Sequence, residues 1–165
     1  MGTRPEVIRV PAATFAAGRD PDRLRIGGLG SCVGVALYDP VARVGGLAHV
    51  LVPDGGGGVE ERWPAASPEQ AVEALLQAVA LNGGEPGRCV AKLAGGGQAF
   101  EHLTAAGRAR PVGPQTALAV RAELSRRGIP LVAEALSPEA GRSMELDLAS
   151  GTVTVRGTGG TIQVL

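Results

Sequence analysis

The stretch that decides the fold is Ser31-Cys32-Val33-Gly34-Val35-Ala36-Leu37-Tyr38, then Asp39-Pro40-Val41-Ala42, then Val44-Gly45-Gly46-Leu47-Ala48-His49-Val50-Leu51-Val52. Val33, Val35 and Leu37 alternate with Cys32, Gly34 and Ala36, the period-two pattern of a strand. Asp39 to Ala42 reads as a turn and Val44 to Val52 as the returning strand, so the stretch predicts a hairpin. Gly45 and Gly46 inside the return predict a bulge or a close approach of neighbouring atoms.

Working outward, Glu6 to Val10 is a short strand candidate, and the polar, Gly/Pro-punctuated Thr14 to Arg23 reads as loop. Asp54 to Gly58 is a glycine run. Ser67-Pro68-Glu69-Gln70 carries a capping box with proline at the first helical position. Val72, Leu75, Leu76 and Val79 follow as one apolar stripe, and Asn82-Gly83-Gly84 ends that helix. Arg88 to Ala94 predicts a strand stopped by Gly95-Gly96-Gly97. A second helix runs from Pro114 to Arg127, closed by Gly128, and Leu131 to Leu136 is a further strand. Arg142 to Leu148 and Thr152 to Arg156 form a hairpin across Ala149-Ser150-Gly151, and Ile162 to Leu165 is a last edge strand. The expectation is a mixed α+β fold, one domain over residues 1–165, with largely antiparallel, sandwich-like sheets and two helices packed on one face.

Composition narrows the function classes. Sixteen basic residues balance sixteen acidic ones, and only four residues are aromatic. A neutral chain without a basic run or stacking rings lacks the footprint of a nucleic-acid binder. No apolar stretch approaches the ~18 residues of a membrane span. Arg4, Glu6 and Arg9 interrupt any leader pattern, and two cysteines predict a reducing cytoplasm over a disulfide scaffold.

Chemistry centres on Gly28-Leu29-Gly30-Ser31-Cys32-Val33-Gly34. Glycines before a thiol let backbone amides, here those of Gly30 and Ser31, approach a developing oxyanion. His49 follows seventeen residues later, and a hairpin would let the imidazole take the Cys32 proton. Such a pair predicts alkylation of Cys32 well below the ordinary ~8.5 of a cysteine, with both groups open to solvent. Spacing alone favours the plainer alternative of a buried thiol and a satisfied core histidine. Gly30 to Gly34 also fits a nucleophile elbow with Cys for Ser, but the β pattern that follows excludes the helix such an elbow needs. Neither dinucleotide nor P-loop glycine patterns occur. Cys89 reads as core and His102 as surface. No paired Cys or His spacing preorganises a metal site, so neither metal nor cofactor is expected.

Leu29-Gly30-Ser31-Cys32-Val33-Gly34-Val35, Asp39-Pro40 and Gly45-Gly46-Leu47-Ala48-His49-Val50-Leu51-Val52-Pro53 resemble the chemoreceptor glutamine deamidase (CheD) family. Ala91-Lys92-Leu93-Ala94-Gly95-Gly96-Gly97 and Gly141-Arg142-Ser143 extend the resemblance across roughly residues 6 to 156. It implies a Cys–His hydrolase on a fold similar to that of cytotoxic necrotizing factor toxins. The implied reaction converts Gln side chains of a chemoreceptor cytoplasmic domain to Glu, with a CheC-type phosphatase as partner. Cys32 then matches the family nucleophile and His49 its base. The family places a Thr six positions before the nucleophile; here Ile26 stands there, leaving Ser31 or a backbone carbonyl to orient His49. Two alternatives remain: an impaired, CheD-like module that only sequesters the phosphatase, and a transglutaminase-like thiol enzyme.

Overall fold

The computed structural model describes residues 4–54, 63–97, 112–136 and 141–165. Within them the strands are β1 (Val7–Arg9), β2 (Phe15–Arg19), β3 (Arg23–Leu29), β4 (Val33–Asp39), β5 (Val44–Val50), β6 (Val90–Gly95), β7 (Leu131–Leu136), β8 (Arg142–Asp147), β9 (Val153–Arg156) and β10 (Ile162–Val164), and the helices are α1 (Pro68–Leu81) and α2 (Val112–Arg126). The strands form two five-stranded sheets among the described residues, ordered β1-β3-β8-β9-β10 and β2-β5-β4-β6-β7. Pairing is antiparallel except for β1 with β3 and β6 with β7. Both helices lie on the sheet that contains β4, so the layers run sheet, sheet, helices. The mixed α+β sandwich with helices on one face is as the sequence predicts.

The β4–β5 hairpin is central to the second sheet and is buried on both faces. Val33, Val35, Leu37, Ala48 and Val50 pack under the helices with Val72, Leu75, Val120 and Leu124. Ala36, Tyr38 and Leu47 face the other sheet, meeting Leu24, Ile26, Leu29, Met144 and Leu146. The register runs unbroken from Val33 opposite Val50 to Asp39 opposite Val44. Gly45 and Gly46 therefore mark close approach and no bulge: an added Cβ would lie 2.7 Å from the Leu37 carbonyl and 2.7 Å from Leu75 Cδ2, respectively.

The α1 start follows its capping signal, with the Ser67 amide donating to Gln70 Oε1 at 3.3 Å. Two elements depart from the sequence reading. Phe15–Arg19, read as loop, is β2, paired along its length with Ala48 to Val44 of β5. Arg23 to Leu29 extends into β3, paired with β8 and interrupted between Ile26 and Leu29. Neither segment is apolar enough by itself; long-range ladders with β5 and β8 supply the ordering that local pattern lacks. Residues 55–58 of the predicted glycine run, His102, and residues 137–140 lie outside the described residues.

The hairpin turn is fixed by Asp39, which is fully buried. Its carboxylate accepts from the amides of Val41 (2.9 Å) and Ala42 (3.2 Å). It also accepts from the Glu85 amide (2.8 Å) and from Arg88 Nη2 (2.8 Å). The Arg88 guanidinium, with those amides, holds its carboxyl well below the usual carboxylate range against the opposing effect of burial. A depressed folded-state pKa contributes stability above the unfolded value of about 3.9 and loses it as pH falls through the folded value. Asp39→Asn is therefore expected to lower unfolding free energy by about 2–3 kcal/mol at neutral pH. It is also expected to flatten the fall in stability below about pH 4; urea titrations at several pH values measure both.

Candidate active site

Cys32 immediately precedes β4, and His49 is the penultimate residue of β5, paired directly with Gly34. Residues two apart on a strand share a face. Leu47 faces the gap between the sheets, so His49 does too, and Cys32 shares that face with Gly34 and Ala36. The two candidate residues are thus diagonal cross-strand neighbours at one end of the hairpin, an arrangement with Cα atoms about 7–8 Å apart and long side chains in reach.

Gly34 is what lets the sheets close at this level. A Cβ there would lie 2.4 Å from Met144 Sδ and 3.2 Å from Ile26 Cδ1. Ile26 is itself fully buried in that apolar layer. At the position for which the resemblance implies a hydroxyl, the inter-sheet gap therefore holds the Ile26 side chain.

The Gly30–Cys32 turn is tied down by the glycines after β6. Gly97 donates to the Gly30 carbonyl and Gly96 to the Cys32 carbonyl, both at 2.9 Å. Gly95 takes φ +100°, and a Cβ on it would collide with the Cys32 carbonyl at 2.3 Å. Arg142, 4% exposed, donates through Nη2 to the Gly95 carbonyl at 3.0 Å. This buried arginine is a contribution that reading the residues singly missed. Its signal was present as a charged residue on the inward-alternating set Arg142, Met144, Leu146.

Burial pushes the Cys32 thiol up from its ordinary value and pushes the His49 imidazole down, the latter opposed by the backbone of Val10. Neither ring nitrogen has a hydrogen-bond partner of good geometry among the described residues. His49 is 5% exposed and Cys32 only half-buried, so the expectation of two solvent-open groups fails for the imidazole. Burial thus disfavours the charged form of each group, a direction opposite to the one expected for a thiolate formed well below the ordinary range. A cleft of about 520 Å³ opens where β3 is interrupted, lined by Arg9, Val10, Arg25, Gly27, Gly28 and His49 among others. Cys32 is not part of that wall. Cys89 lies elsewhere in a small buried cluster, its thiol pushed up to about 11, first by burial. No group of three or more metal-ligating side chains occurs among the described residues. Nor, among them, is any helix long and apolar enough to cross a membrane.

A two-sheet α+β protein with a cysteine and a histidine in diagonal register at one sheet end, with no hydrogen bond between them, is the class that fold and site define. The family described as CheD chemotactic sensory transduction matches residues 53–157. A probable chemoreceptor glutamine deamidase CheD from Desulforamulus reducens is 40% identical over 158 residues, covering 96% of this chain and 95% of its own. One of the same description from Moorella thermoacetica is 39% identical over 166 residues, covering 98% and 97%. A third, from Archaeoglobus fulgidus, is 41% identical over 129 residues, covering 78% and 80%. This chain belongs to the CheD family.

The effect of burial on the thiol has a direct measure. Alkylation of Cys32 by iodoacetamide is expected to show a midpoint at or above the ~8.5 of free cysteine. A midpoint a full unit lower, lost on His49→Ala, would restore the ion-pair picture.

Proposed function

We propose that this protein is a glutamine deamidase acting on chemoreceptor cytoplasmic domains, with Cys32 as nucleophile and His49 as general base. The observation that carries the reading is the placement of Cys32 and His49 as diagonal neighbours on one face of the β4–β5 hairpin. Membership of the CheD family and the printed description of its relatives give the substrate class.

With both groups neutral at rest, proton transfer accompanies attack. The thiol proton passes to the imidazole as sulfur bonds to the side-chain amide carbon of the glutamine. The oxyanion is met by amides of the Gly30–Ser31–Cys32 turn, whose carbonyls are already engaged by Gly96 and Gly97. Each well-placed donor contributes about 2.7–4 kcal/mol. Protonated His49 gives its proton to the departing nitrogen, and ammonia leaves a thioester. Water, deprotonated by neutral His49, cleaves the carbon–sulfur bond, leaving glutamate and the regenerated thiol. The chemistry uses no cofactor. Because burial holds His49 below its ordinary ~6.5, the base is available throughout the neutral range.

Ammonia release from a receptor cytoplasmic fragment tests this. Cys32→Ala is expected to reduce the rate at least about 1000-fold, and His49→Ala about 100- to 10,000-fold. Equal release by wild type and Cys32→Ala would end the enzymatic reading.

A second reading rests on Ile26 and on the absence, among the described residues, of a side chain hydrogen-bonded to the imidazole: a module that binds a CheC-type phosphatase and turns over slowly or not at all. Ile26→Thr separates the two. It places a hydroxyl in the layer facing Gly34 and is expected to raise the deamidation rate several-fold. Its expected stability cost is about 1–3 kcal/mol for burying a polar group. An unchanged low rate, with phosphatase binding retained, favours the module.

A further inference from the structure

Arg9 and Arg25 are lateral partners in the parallel β1–β3 ladder. Like charges at paired positions repel, so sheets avoid the arrangement unless something compensates. The ion pairs of this sheet go to a neighbouring arginine. Arg23, two residues earlier on β3, has Glu145 at 3.6 Å and Asp147 at 3.7 Å. Glu145 is also the antiparallel partner of Arg25, yet its carboxylate is turned to Arg23. Neither Arg9 nor Arg25 makes an ion pair among the described residues. Both are exposed, and both line the cleft whose wall includes His49.

The cleft is shaped for more than an amide group. At about 520 Å³ it falls within the range of ligand clefts, roughly 300–1,000 Å³. Gly27 and Gly28 leave one wall without side chains, and among the described residues a Cβ at either would meet nothing within 4 Å. On the β3 side two guanidinium groups stand beside this wall, in a chain of zero net charge.

We propose that Arg9 and Arg25 are specificity residues that bind carboxylate side chains flanking the target glutamine, so that the enzyme selects glutamine in an acidic segment. This deepens the deamidase reading and rests on it for the target group, while the carboxylate site stands on the cleft alone. A guanidinium presents a planar fork of donors suited to carboxylate, and two of them side by side accept two acids, or one acid in bridging geometry. A carboxylate bound there offsets the like charge of the paired Arg9 and Arg25.

The test uses the full chain carrying Cys32→Ala, so that binding is read without turnover. Two synthetic peptides differ only beside a single glutamine, Glu-Gln-Glu against Ala-Gln-Ala, and affinity is measured by fluorescence anisotropy. At low salt the acidic peptide is expected to bind about tenfold more tightly, a preference that shrinks as salt shortens the screening length to about 3 Å at 1 M. Arg9→Gln and Arg25→Gln are each expected to remove about fivefold of it, whereas Arg23→Gln, outside the cleft wall, retains it. Equal affinity for the two peptides, or a preference that survives the double Arg9→Gln/Arg25→Gln change, overturns the proposal. Ammonia release by the unmodified protein is read separately. An inactive protein that still prefers the acidic peptide through these arginines counts against deamidation and for the carboxylate site.

Discussion

The site depends on the one place where the two sheets come too close for a side chain. Gly34 faces Met144 and Ile26 across the gap and stands opposite His49 within its own sheet. A methyl group there would push apart the sheets at the level of the imidazole, an overpacking of the kind that costs about 1–3 kcal/mol. That approach also buries the imidazole and part of the thiol. Burial in turn shifts both groups toward their neutral forms. Packing geometry thereby biases both groups toward their neutral forms.

A pair that burial favours in its neutral form differs from a preformed thiolate–imidazolium pair in what it demands of the surroundings. In the proposed reaction charge appears only during attack, so groups that stabilise it act on the transition state more than on the resting state. The Gly30–Cys32 turn, where the proposed reaction develops that charge, is tied down by Gly96, Gly97 and, through Gly95, by Arg142. Preorganised dipoles in such a setting need no rearrangement at the moment of reaction.

Much of this was legible from the residues because the informative segments are locally self-consistent. Val33 to Tyr38 alternates, Asp39-Pro40 turns, and the return strand brings His49 to Gly34 without any assumption about distant elements. The α1 start is equally local, written in Ser67, Pro68 and Gln70. Phe15–Arg19 was not legible, since its strand character comes from five pairings with β5, 25 to 33 residues away. Arg142 was visible as a motif residue but not as a tether, because its partner is a carbonyl 47 residues distant. The Arg9–Arg25 pairing is of the same kind: parallel register is a property of the sheet, and no window of sequence contains it.

The position of the second thiol has a consequence for handling and for life in an oxidising cell. Cys32 precedes the start of β4, whereas Cys89 precedes β6 beside the far end of β4, where Val90 pairs with Tyr38. Six residues of strand separate them, roughly 20 Å at about 3.3 Å each, far beyond the ~7 Å limit for a bridge. A sulfenic acid formed at Cys32 has no resolving thiol in its own chain. Its repair falls to glutathione or a dedicated reductase, and failing that it advances to the irreversible sulfinic form.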